Sequence, residues 1–236
     1  MGSFGLFSVL LASIEPKGFK YVAKNLAWLA AMDKEVQALQ NNCIWILVSR
    51  PTNTNIMGSK WVFQTKYLSD GSIEHFKALL VDKGYTQVLS LDYTDTFSPV
   101  IKATTVHVVF YLVVTNKWPI CQLDVKNAFL NGHLSEHVYM EQTLGYIDPC
   151  FPNHAYQLQK ALYGLKQVPR AWFQRLNSFL IQLGFYCSRA DMSLFVFHKH
   201  SDIIYLLLYV DDIIIIGNNS SLLDNFTCKL NYEFCH

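Results

Sequence analysis

The residues best placed to do chemistry are two adjacent carboxylates, Asp211-Asp212, set between the strand-forming runs Ile203–Val210 and Ile213–Ile216. Ionised carboxylates beside apolar strands are costly unless hydrogen bonds or a cation neutralise them. A plain turn would favour Asp-Gly or Asn-Gly, yet strand formers continue directly on both sides. On the residues alone, a metal-binding pair and a turn stand at even odds. Asp124 closes a second apolar run, Ile120-Cys121-Gln122-Leu123-Asp124. Period-two alternation puts Gln122 and Asp124 on one face and Leu123 and Val125 on the other. A strand-end aspartate is ordinarily a satisfied polar group, and its interest here is the possible partner at Asp211. Mg²⁺ prefers carboxylates plus substrate phosphates to an all-protein cage. Two such ions can activate an attacking oxygen and stabilise a leaving one.

Other candidate ligands carry less. His133 and His137 are spaced i, i+4, and His198 and His200 alternate, but neither pair has the Glu or Cys company of a zinc site. Both read as structural. The six cysteines include no CxxC pair, which argues against a zinc ribbon and against a secreted disulfide framework. Free thiols in a reducing, intracellular compartment are expected.

From Pro149 to Ala190 there is no acidic residue, while Lys160, Lys166, Arg170, Arg175 and Arg189 are interleaved with Tyr163, Trp172 and Phe173. Such a mixture suits phosphate contact and base stacking, and equally a solvated amphipathic helix. The formal net charge of the 236 residues is only +1, so any nucleic-acid contact must come from local clustering, not from a global basic field. With 51% hydrophobic and 16% charged residues the chain is expected to fold as a packed globule. Met1 to Ala12 is apolar but short and lacks a basic leader, making a poor signal peptide. The most apolar window, 203–216, is broken by the aspartate pair, so a membrane span is not expected.

The elements that must position these residues follow from pattern. Asn25 is expected to cap a helix to about Gln40, with Leu29, Met32, Val36 and Leu39 as its buried stripe. Two apolar, β-branched runs, Trp61–Leu68 and Ile73–Val81, flank Ser69-Asp70-Gly71-Ser72 and predict a hairpin. Thr104 or Thr105 is expected to cap a helix to Thr115. Ile120–Val125 reads as a buried strand, and Pro169 suits the first turn of a helix to about Leu183. Helices and strands mix without a βαβ rhythm, so the fold class is α+β.

The motifs resemble those of a known family. Tyr209-Val210-Asp211-Asp212 is similar to the active-site hairpin of reverse transcriptases, and Gln122–Gly132 (QLDVKNAFLNG) to the copia-type form of their first aspartate motif. Lys60-Trp61-Val62-Phe63, Lys83–Gln87, Asp92-Tyr93, Thr96–Val100 and Leu162–Gln167 followed by Pro169-Arg170-Ala171-Trp172 match in the same order, from about Trp28 to the C-terminus.

The resemblance implies an RNA-directed DNA polymerase domain from a copia-type retrotransposon polyprotein, with a right-hand palm and fingers. The expected organisation is a tail at 1–24 and the polymerase region at 25–236, with a fingers hairpin at about 60–82 and palm at about 100–236. The chain is expected to stop before the thumb. Asp124, Asp211 and Asp212 are implied as catalytic, metal-binding residues for two Mg²⁺ ions, with Mn²⁺ as a substitute. The nucleotide would be contacted by Val125, Ala128, Phe129, Tyr163, Gly164, Lys166, Lys66 and Lys77. Phe129 occupies the steric-gate position, where a ring clashes with a ribose 2′-hydroxyl; without the motif it reads as core. Lys66 and Lys77 serve equally well as solubility residues. Template and primer would meet Tyr209, Val210, Arg170 and Trp172. Implied partners are an RNA or DNA template with primer, a deoxynucleoside triphosphate, and a thumb and ribonuclease H supplied in trans. The implied setting is intracellular: a cytoplasmic virus-like particle, or the nucleus. The alternative is a degenerate or co-opted remnant that binds nucleic acid without catalysis. Four departures bear on it: Leu79 replaces a usual arginine, Asp82 a small residue, Ser90 a glycine and His107 an arginine.

Overall fold

The computed structural model describes residue 16 and residues 18–22, 24–125 and 127–234. The expectation for Met1 to Ala12 falls outside them. In chain order the elements begin with helices α1 (Phe19–Val22) and α2 (Leu26–Asn41). Strands β1 (Trp45–Val48), β2 (Ile56–Met57), β3 (Ser59–Tyr67) and β4 (Ile73–Asp82) follow. Next come α3 (Ala103–Asn116), β5 (Ile120–Asp124), β6 (His133–Glu141), β7 (Ala155–Lys160) and α4 (Val168–Gln182). The described chain closes with β8 (Tyr186–Cys187), β9 (Leu194–Lys199), β10 (Asp202–Tyr209), β11 (Asp212–Gly217) and α5 (Ser220–Phe234). The class is mixed α and β, and no described helix is long and apolar enough to cross a membrane.

The chain divides into two compact units, one of residues up to Val88 with His137–Leu165, the other of Leu89–Glu136 with Lys166 onward. The first contains the hairpin β3–β4, paired from Ser59↔Asp82 to Tyr67↔Ile73. Asp70 shapes its connection by accepting the Ser72 N–H at 2.8 Å. One hairpin face, with Phe63 and Ala78, packs on α2 through Trp28 and Met32. Asn25 caps α2 as expected, its side chain accepting from the Ala27 N–H. The buried stripe is Trp28, Met32, Val36 and Leu39, so the indole at 28 takes the place expected for Leu29. Val22 is fully buried in the same cluster, so packing starts upstream of Asn25. A four-stranded sheet, ordered β1-β7-β6-β2, completes this unit.

The second unit is built on a five-stranded sheet, ordered β5-β11-β10-β9-β8 and antiparallel at every pairing. Alternation gives it two apolar faces. Leu123, Leu206, Leu208, Ile213 and Ile215 pack against α4 and α5, while Leu207 and Ile216 pack against Val109 and Val113 of α3. The cap of α3 differs from expectation: its N-cap is Lys102, which makes no side-chain capping bond. Asp191 does the work from a distant loop, accepting the Lys102 N–H at 2.9 Å and the Thr105 hydroxyl at 2.6 Å. Pro169 stands in the first turn of α4.

Candidate active site

The three aspartates sit at one end of the five-stranded sheet. Asp124 ends β5 and is the cross-strand Cα partner of Asp212, the first residue of β11. Tyr209 pairs with Asp212, so the connection between β10 and β11 is the two-residue turn Val210-Asp211, one position earlier than a turn centred on Asp211-Asp212. The Val125 N–H donates to the Asp211 carbonyl at 3.2 Å, lacing the turn to the end of β5. Gln122, one alternation before Asp124, donates its amide to Asp212 Oδ1 at 3.3 Å. Asp124 is exposed and Asp211 and Asp212 are half-buried, so none bears the full desolvation cost of the core. Among the described residues no group of three or more His, Cys, Asp or Glu side chains stands close enough together to hold a metal ion.

Val210 has φ 59°, in the left-handed region. A β-branched residue there is strained by roughly 1–3 kcal/mol, and such strain persists only where neighbours over-determine it. Trp172 is one such neighbour. Its indole N–H donates to the Val210 carbonyl at 2.8 Å. The side chain is 1% exposed, so the expected template contact is corrected: this ring is core and holds the turn from beneath.

The other sequence candidates divide by unit. In the second, Val125 and Ala128 are buried and can offer a ligand only backbone. Phe129 is half-buried against the core and lines a cavity of about 310 Å³ with Val100, Pro169, Phe173, Leu208 and Val210. Tyr209 and Val210 are exposed. Lys166 lies over the Tyr93 ring, 4.9 Å from its centroid, and donates to that hydroxyl. Arg170 pairs with Asp95 at 3.5 Å. The Phe97 N–H, aided by Arg170, holds the Asp95 carboxyl below its ordinary range. Arg175 pairs with Glu233. Of the basic residues in 149–190, Arg170 and Arg175 are thus paired with acidic residues remote in sequence and Lys166 with Tyr93.

In the first unit, Lys66 pairs with His75 and Lys77 with Gln64, which puts both lysines on the hairpin face opposite Phe63 and Ala78. Leu79, opposite Val62, shares that face. Asp82 is 2% exposed, so its carboxyl is buried. Its N–H donates to the Tyr163 carbonyl at 2.7 Å. Gly164 has φ +100°, and a Cβ there would lie 2.2 Å from the Asp82 carbonyl oxygen; only glycine fits. Tyr163-Gly164 is therefore fixed first as a packing joint.

Sequence reasoning missed Asp191, and nothing local pointed to it, since its partners lie more than eighty positions upstream. Gln122 was placed on the correct face without a role. Ser90 has φ 68°, which gives a physical reason for the usual glycine at that position.

Residues 42–235 match the family described as reverse transcriptase (RNA-dependent DNA polymerase). The chain is 47% identical over 232 residues to the retrovirus-related Pol polyprotein from transposon RE1 of Arabidopsis thaliana, covering 98% of this chain and 16% of that protein. It is 46% identical over 226 residues to the corresponding RE2 polyprotein of the same plant, covering 95% and 16%. Against the TNT 1-94 polyprotein of Nicotiana tabacum it is 36% identical over 208 residues, covering 87% and 16%. The chain thus spans about one sixth of the length of these relatives.

Proposed function

The chain belongs to the reverse transcriptase (RNA-dependent DNA polymerase) family, and from that premise we propose that it adds deoxynucleotides to a primer 3′-hydroxyl at Asp124, Asp211 and Asp212. The five-stranded unit is read as the palm and the unit holding the β3–β4 hairpin as the fingers. The observation that carries this reading is the register that sets Asp124 opposite Asp212, with Asp211 on the adjoining turn.

Three hard oxygen donors at a solvent-facing strand end suit Mg²⁺ or Mn²⁺, ions that retain waters and complete their shell with substrate phosphates. When bound, a pair of such ions would activate the attacking hydroxyl and neutralise charge on the leaving pyrophosphate. Asp124 and Asp211 are assigned to hold the pair, with Asp212 less direct and oriented by Gln122. Phe129 is assigned to exclude a ribose 2′-hydroxyl. Val125 and Ala128 contribute backbone to the nucleotide. Lys66 and Lys77 are point charges for the triphosphate. Tyr163, Gly164 and Lys166 belong to the nucleotide side, Tyr209 and Val210 to the primer, and Arg170 reaches a template phosphate on release from Asp95.

Primer extension with purified chain, Mg²⁺ and an RNA template tests the reading. Asp211→Asn is expected to abolish extension while primer–template binding persists. A chain that fails to extend any primer, even with a thumb from a related element appended, would sink it. The second reading, a non-catalytic nucleic-acid-binding remnant, is favoured by Leu79, which leaves an apolar side chain where the resemblance implies a bidentate phosphate clamp. It requires that Leu79→Arg with an appended thumb still give no product.

A further inference from the structure

We propose that Trp172 is a positioning residue for the carboxylate turn, its indole N–H fixing the Val210 carbonyl and so the direction in which Asp211 is presented. The inference deepens the polymerase reading and rests on it for its kinetic consequence, though not for its structural one.

Two consecutive carbonyls of the turn are held by donors from two different elements. The Asp211 carbonyl accepts from the Val125 backbone, a bond that any sequence with this register would keep. The Val210 carbonyl accepts from Trp172 at 2.8 Å, a bond that needs this side chain. The first of these carbonyls belongs to a β-branched residue at φ 59° that is 41% exposed. Val210 therefore gains little from burial to offset its backbone strain, and external hydrogen bonds must hold it.

The donor itself is immobilised. The Trp172 ring is 1% exposed and meets Phe234 edge-on at 5.2 Å. Its helix is seated hard against the segment after Asp124, since a Cβ on Gly132 would lie 2.9 Å from Ala171 Cβ and 3.0 Å from the Trp172 backbone nitrogen. Phenylalanine could fill most of the ring's volume but has no N–H. Trp172 touches neither substrate nor metal in this account and acts through the turn.

The test replaces shape and donor separately. Trp172→Phe removes the donor, and benzothienylalanine at 172 removes it with the indole's shape kept. In the parent, the Trp172 indole proton is expected to exchange with solvent more slowly than the other tryptophan indole protons. In both variants the Val210 and Asp211 amide resonances are expected to shift. Single-nucleotide incorporation is expected to lose about five- to tenfold in kcat, the scale of one neutral hydrogen bond, with the KM for deoxynucleotide within about twofold. A fast-exchanging indole proton, or a benzothienylalanine variant with parental turn resonances and kcat, would overturn the proposal. An inactive parent whose turn resonances still respond to Trp172→Phe would instead count against the polymerase reading and leave the positioning role standing.

Discussion

At the residue scale, the three aspartates meet at one strand end, beside a backbone in an uncommon conformation at Val210. Asp124, Asp211 and Asp212 gain their relation from register, and Gln122 donates its amide to Asp212 Oδ1. If Phe129 is the gate, Phe129→Ala should admit ribonucleotides with deoxynucleotide incorporation largely retained, measured as a ratio of kcat/KM values. Equal discrimination in parent and variant would reduce Phe129 to packing. Ser90 offers a separate test. An L-residue in the left-handed region costs about 1–2 kcal/mol, part of which glycine loses again to its greater unfolded-state freedom. Ser90→Gly is therefore expected to raise stability by roughly 0.5–1 kcal/mol in denaturant melts. A fall in midpoint would mean that the serine side chain supplies a compensating bond.

At the element scale, helices and turns are held by groups remote in sequence. Asp191 caps α3 from the loop before β9. Burial alone would push its carboxyl up, but bonds from the Thr105 hydroxyl and the Lys102 and Ser193 N–H groups outweigh this and hold it below the ordinary value. A carboxyl depressed in the folded state stabilises above its unfolded pKa, and that contribution is lost as pH falls through the folded one. Asp191→Ala should thus cost about 0.5–2 kcal/mol at neutral pH. The gap from the parent should be constant above about pH 5 and shrink below about pH 4. A gap independent of pH down to acid unfolding would show that the carboxylate charge is irrelevant. The joint at Gly164 makes a steric prediction. Gly164→Ala brings a Cβ within 2.2 Å of the Asp82 carbonyl oxygen, so the hairpin end or the Tyr163 loop must move, at roughly 1–3 kcal/mol. An unchanged melting temperature would contradict the close approach.

At the scale of the whole molecule, charge is spent internally. The net charge is +1, and Arg170, Arg175 and Lys166 are engaged by Asp95, Glu233 and Tyr93. Were all five basic residues of 149–190 to reach duplex phosphates, log K would fall against log[salt] with a slope of about −4.5. With Arg175 and Lys166 engaged and Arg170 released onto a template phosphate, a slope nearer about −2.7 is expected from fluorescence anisotropy across a salt series. A slope at or beyond the larger value would mean that bound nucleic acid breaks these pairs.

What the sequence determined alone was local or periodic. Asn25 as a cap, the hairpin around Asp70-Gly71, Pro169 opening a helix and the split of Leu123 and Val125 from Gln122 and Asp124 each follow from one residue's preference or from strand alternation. The ordered motifs also carried the family, because they state residue types at fixed places along the chain. Tertiary structure decided whatever depends on which distant groups meet. It buried Trp172 under a turn that it holds and gave α3 its cap from Asp191. It paired Arg170 and Arg175 of the basic segment with acidic residues outside it, and moved the hairpin turn to Val210-Asp211. Each outcome is a hydrogen bond, an ion pair or a register closed between elements far apart in the chain. Propensity is blind to such choices, because their free energy exists only once both elements are in place.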